Sequence, residues 1–79
     1  MKTPELGTRE YFLDEWRSFH ELMGTKKFWS NLESASNAYR GLLYVFSKTK
    51  DLRESDEIAM QSVTKEYDMR LRLVLMYGV

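Results

Sequence analysis

The 79-residue sequence has no cysteine, a single proline and a single histidine. Without cysteine there are no disulfides and no thiolate metal sites. One histidine, His20, cannot form a histidine cluster. The four glycines are isolated, so no glycine-rich loop is available to cradle a phosphate. No apolar run approaches the ~20 residues of a membrane span. Residues 1–13 show neither the basic start nor the apolar stretch of a secretory signal. These absences lead to the expectation of a cytoplasmic protein that uses no cofactor and has no contact with membrane.

What remains is a chain that is 43% hydrophobic and 30% charged, the balance of a globular domain rather than a disordered one. At this length it forms one domain, residues 1–79, that buries only about 60% of the surface its unfolded chain exposes. Domains this small usually gain stability from disulfides, a metal or oligomerisation. With the first excluded, packing quality, carboxylate sites and self-association are left. The formal net charge is zero, yet residues 1–24 carry −2, residues 25–50 carry +4 and residues 51–79 carry −2. A basic middle third thus lies between two acidic thirds.

Apolar periodicity predicts an all-α fold, a small three-helix bundle with helices over about 8–23, 25–47 and 52–77. In the first helix Phe12, Trp16, Phe19 and Met23 recur at spacings of four, three and four, which places them on one stripe. Thr3 before Pro4, or Thr8, supplies its N-cap. Gly24 ends it, with the left-handed conformation expected of a terminal glycine. Thr25 caps the second helix, whose seam is Phe28, Leu32, Ala35, Tyr39, Leu42 and Phe46. The Ser-Ala-Ser-Asn run at its middle has modest helix propensity and is a candidate kink. Ser47 to Asp51 reads as a loop. Asp51 with Glu54 has the form of a capping box, and Ser55 is a rival cap. In the third helix Ala59 or Met60, then Val63, Tyr67, Leu71 or Arg70, and Val74, form the inward stripe.

The last eleven residues, Met69 to Val79, behave differently. Eight of them are apolar, and Met69, Leu73 and Met76 lie away from the inward stripe. A strand reading competes, because the segment also alternates with period two. Its Leu, Met and Arg content favours helix over strand. A helix apolar on nearly all sides has to be covered, either by the rest of the domain, by a second copy or by another protein.

Chemical sites are sparse. His20 borders the first apolar stripe, with Glu15 and Glu21 nearby, but no nucleophile or metal motif accompanies it. A histidine packed beside Trp16 is the simpler reading. The acidic residues form no Glu-x-x-His pair, and Asp51 to Glu57 lacks the alternating ligands and central glycine of a calcium loop. Lys26, Lys27, Arg40, Lys48 and Lys50 suggest a nucleic-acid surface, with Trp29 or Tyr44 stacking on bases. Against this stand a pI near 6.6 and the spread of these cations around the helix, and their charges could be matched by the acidic helices on either side. Tyr44 also stands one turn after Arg40, within reach of a cation–π contact.

The expected function is a non-enzymatic protein-interaction module, a regulator, adaptor or inhibitor. Its apolar C-terminal helix would bind a second copy, completing the bundle as a dimer, or a larger protein. The interface residues read from the sequence are Met69, Leu73, Leu75, Met76 and Tyr77, with Trp29 and Tyr44 as exposed aromatics. Nucleic-acid binding by the middle helix ranks second.

Overall fold

The computed structural model describes residues 3–79. Four helices follow in order: α1 (Arg9–Met23), α2 (Lys26–Trp29), α3 (Leu32–Lys48) and α4 (Glu54–Tyr77). The described residues contain no strand, and the Met69–Tyr77 segment is helical. The fold is a small all-α bundle of three long helices and one short one.

Of the two candidate caps for α1, Thr8 is used: its hydroxyl accepts from the Tyr11 N–H at 3.3 Å. Gly7 precedes it at φ 101°, a backbone region that favours glycine. The Gly7 carbonyl accepts from the Lys50 N–H at 3.1 Å, tying the α3–α4 loop to the start of α1. Phe12, Phe19 and Met23 are buried and Trp16 is half-buried, as their stripe requires. Gly24 does end the helix, but in right-handed conformation, at φ −79° and ψ −2°. Its N–H reaches the Glu21 carbonyl at 3.1 Å. That closes the last turn without the left-handed step expected of it.

The expected helix over 25–47 is two helices. Thr25 caps the single turn of α2 by accepting from the Phe28 N–H at 3.3 Å. At Asn31 the backbone becomes extended, at φ −131° and ψ 95°, and the Asn31 side chain accepts from the Ser34 N–H at 3.0 Å. An asparagine that caps a new helix competes with continuing the old one. The break therefore falls just before the Ser-Ala-Ser-Asn run rather than within it. The apolar seam survives: Ala35 and Leu42 are buried, and Phe28, Leu32, Tyr39 and Phe46 pack against the same core.

For α4, neither Asp51 nor Ser55 is the cap. Arg53 occupies that position, and Asp56 in the first turn accepts from the Arg53 backbone N–H at 3.0 Å. Asp56 does more than this. It also accepts from Arg9 Nε at 2.6 Å and from the Arg9 Nη2 at 2.9 Å, a two-pronged pair joining the starts of α1 and α4. Farther along, the Trp16 indole donates to the Ala59 carbonyl at 3.1 Å. Phe19 packs against Tyr67. These contacts advance along both helices together, so α1 and α4 run parallel. α3 is antiparallel to both, because Phe12 meets Phe46 while Phe19 meets Tyr39.

Met60, Val63 and Tyr67 carry the inward stripe of α4, with Leu71 and Val74 packed at its edge. Tyr39 and Tyr67 stack with ring centres 4.3 Å apart and planes 5° from parallel. The Tyr39 hydroxyl and Thr64 Oγ1 are 3.2 Å apart. Burial pushes the Tyr67 phenol above its ordinary pKa, with the Ser36 side chain acting in the opposite direction. No helix is long and apolar enough to cross a membrane among the described residues.

Candidate protein interface

α4 is much longer than its neighbours. Its 24 residues span about 36 Å, against about 22 Å for the 15 residues of α1. The two helices start level at the Arg9–Asp56 pair, so α1 ends near Arg70 of α4. Beyond that point α1 no longer accompanies α4, while α2 still reaches it through Trp29, which meets Arg70 and shares a pocket with Leu73 and Val74. This overhang carries the apolar tail.

Met69, Leu73, Leu75, Met76 and Tyr77 are all exposed, from 49% for Leu73 to 78% for Tyr77. Leu71 and Val74 turn inward. Met69, Leu73 and Met76 follow spacings of four and three and form one face turned from the inward stripe, with Leu73 at its edge toward α2. Leu75 lies off that face, on the side of Leu71. Gly78 at φ 86° closes the helix, its N–H donating to the Val74 carbonyl at 2.8 Å.

The surface as a whole is larger than a compact monomer needs. A 9.4 kDa chain has 5949 Å² exposed, whereas size scaling gives about 5,000 Å². The excess accompanies an elongated shape, 40 × 27 × 16 Å.

Two aromatic residues were expected at this surface, and they part company. Tyr44 is 54% exposed, yet the cation over its ring is Lys48, 5.5 Å from the centroid, and not Arg40. Lys48 lies one turn beyond Tyr44 where Arg40 lies one turn before it, and both positions are geometrically open to the ring. Trp29 is a correction. It is 1% exposed and belongs to the core. The break at Ser30–Asn31 frees α2 to turn relative to α3, which carries Trp29 from the flank of a continuous helix to the interior. There its indole N–H donates to the Met23 carbonyl at 2.8 Å. One face stacks near Tyr67, at 5.6 Å, and the Arg70 guanidinium lies 5.6 Å from its ring centre. Trp29 thus supports the root of the overhang without being part of its exposed face.

The basic residues do not gather. Lys26 and Lys27 stand at the end of the bundle where α1 finishes, Lys48 and Lys50 at the end where it starts, and Arg40 between them. All five are exposed. Among the described residues none of them forms an ion pair, so the acidic helices do not match their charges as expected. Lys26, with Arg70, borders a 300 Å³ pocket between α2 and the tail, lined by Trp29, Leu73 and Val74.

His20 is packed as expected against Trp16, with rings 5.1 Å apart and 13° from parallel. Its charged neighbour is Glu66 of α4, Oε2 lying 3.6 Å from Nε2, rather than Glu15 or Glu21. No group of three His, Asp or Glu side chains suited to a metal ion occurs among the described residues.

The ion pair that matters most for the architecture was not read from the sequence. Arg9 holds the Asp56 carboxylate below its ordinary pKa, burial opposes this, and the Arg53 N–H adds to it. The same hydrogen bond raises Arg9. These residues are 47 positions apart, and neither local spacing nor local charge links them. Compared with protein families, curated proteins and solved structures, the chain matches no family model, no curated protein and no solved structure.

Proposed function

We propose that this chain is a small protein-interaction module, a regulator, adaptor or inhibitor rather than an enzyme. It associates with a second copy of itself through the exposed face of α4. The observation that carries this reading is the outward Met69–Leu73–Met76 face on an overhanging helix. Contiguous apolar surface of this kind on a small domain marks an interaction site. A symmetric pair is the commonest assembly for such a chain.

Sedimentation velocity over a wide concentration range tests the reading. Wild-type protein passes from monomer to dimer as concentration rises. Leu73→Glu places a charge in the contact and weakens association at least about tenfold, since ~1.4 kcal/mol is a factor of ten and loss of a buried anchor costs more than that. A wild-type chain that stays monomeric at every concentration refutes the proposal.

A further inference from the structure

One large apolar residue in the first half of α4 takes no part in the chain's own core. Ile58 is 58% exposed, although its neighbours in sequence are clasped by α1. It lies 18 residues before Met76, which is five full turns of an α-helix, so the two point the same way. Met69 falls within about 20° of that direction. All three face away from Met60, Val63 and Tyr67, which hold the inward stripe.

The outward face therefore does not begin at the tail. It is a ridge along α4, made of Ile58, Ser62, Lys65, Met69, Arg72 and Met76, at alternating spacings of four and three. All six residues are exposed, and Leu73 borders them. Neither Lys65 nor Arg72 forms an ion pair among the described residues. The ridge is about 27 Å long, roughly twice the length of the tail alone.

Its order is self-matching on reversal. When a second α4 is turned end for end about Tyr67, Ile58 meets Met76 and Lys65 meets Met69. Ser62 meets Arg72, a small side chain opposite a long one. The aliphatic stem of Lys65 lies along the facing methionine, and its ammonium comes beside the exposed Asp68 of the other helix. Arg72 comes beside the neutral Gln61. The other charges of this part of α4 stand off the ridge. Glu66 turns to His20, Arg70 to Trp29, and Glu57 to the side of Phe46. Glu54 falls past the end of the facing helix.

A parallel pair has none of these matches. It sets Lys65 directly against Lys65 and Arg72 against Arg72, and like charges in direct opposition are destabilising. It also aligns the two helix dipoles, which the reversed pair opposes. The ridge thus suits a second copy of itself, in one direction only.

We infer that two chains associate along this whole ridge, α4 against α4 and antiparallel, with the twofold axis beside Tyr67 and each Ile58 against the partner's Met76. This rests on the proposed self-association and sets its extent and its direction.

Sedimentation of wild type and Ile58→Glu tests the extent, with thermal melting at low concentration as a check on folding. Position 58 is exposed and near the positive start of α4, where a glutamate is tolerated. The melting temperature holds while association weakens at least tenfold. If Ile58→Glu associates as wild type does while Leu73→Glu does not, contact is confined to the tail. The ridge is then overturned and the self-association reading stands. If wild type is monomeric throughout, both fail.

The absence of cysteine allows a test of direction. Under mild oxidation, Ile58→Cys mixed with Met76→Cys gives a disulfide-linked dimer containing one of each, whereas either variant alone stays largely unlinked. Linking of each variant to itself shows a parallel pair and overturns the inference. Failure of the mixture to link overturns it too.

Discussion

The two halves of α4 share one helix and one continuous apolar stripe, yet they live in different surroundings. From Glu54 to Tyr67 the helix is clasped: Arg9 grips Asp56, Trp16 reaches the Ala59 carbonyl, and Tyr39 stacks on Tyr67. From Met69 to Tyr77 most large apolar residues are exposed. The difference does not arise from helix propensity, because the tail residues are as good helix formers as those before them. It arises from the length of the neighbours. α1 ends while α4 still has about two turns to run, so the first half belongs to the core and the second is left largely exposed.

That contrast can be broken by substitution. Tyr67→Ala removes a ring that touches Phe19, Trp29 and Tyr39, and its expected cost is about 3–5 kcal/mol, as for other large aromatic truncations. Urea unfolding of the monomer at low concentration measures it.

Asp56→Asn comes next, with an expected cost of about 2 kcal/mol at pH 7 from weakened charge-assisted hydrogen bonds. The effect depends on pH with a definite sign. The folded pKa of Asp56 lies below its ordinary value. Its contribution is therefore fully present above pH ~4 and fades as pH falls through the folded pKa. Urea midpoints of wild type and Asp56→Asn should converge in acid. A difference undiminished at pH 2 would show that the carboxylate's charge is not what matters.

The smallest effect is expected in the other half of the helix. Leu73→Ala should change monomer stability by no more than about 0.5 kcal/mol, as for an exposed position. A cost approaching that of Tyr67→Ala would erase the contrast and place Leu73 in the monomer's own core.

Much of this division was legible in the sequence. The stripe of α1, the burial of Ala35 and Leu42, the inward Met60–Val63–Tyr67 series and the outward Met69–Leu73–Met76 face all follow from helical spacing, which is a local property. The break at Ser30–Asn31 was harder to see. α2 is a single turn, so the apolar seam passes from Phe28 to Leu32 without losing its period. The available signal was a cap-forming asparagine directly after a serine. Missing the break misplaced Trp29, because a helix wheel assumes one continuous axis. The Arg9–Asp56 pair was invisible for another reason, since it depends on which helices lie side by side.

The parallel course of α1 and α4 has a practical consequence. Gly7 lies at one end of a molecule 40 Å long, and Tyr77 lies at the other. A fluorophore or affinity tag joined near Thr3 therefore stands well clear of the tail. The same group joined after Val79 crowds it, so two otherwise equivalent preparations would differ in the very association they were made to measure.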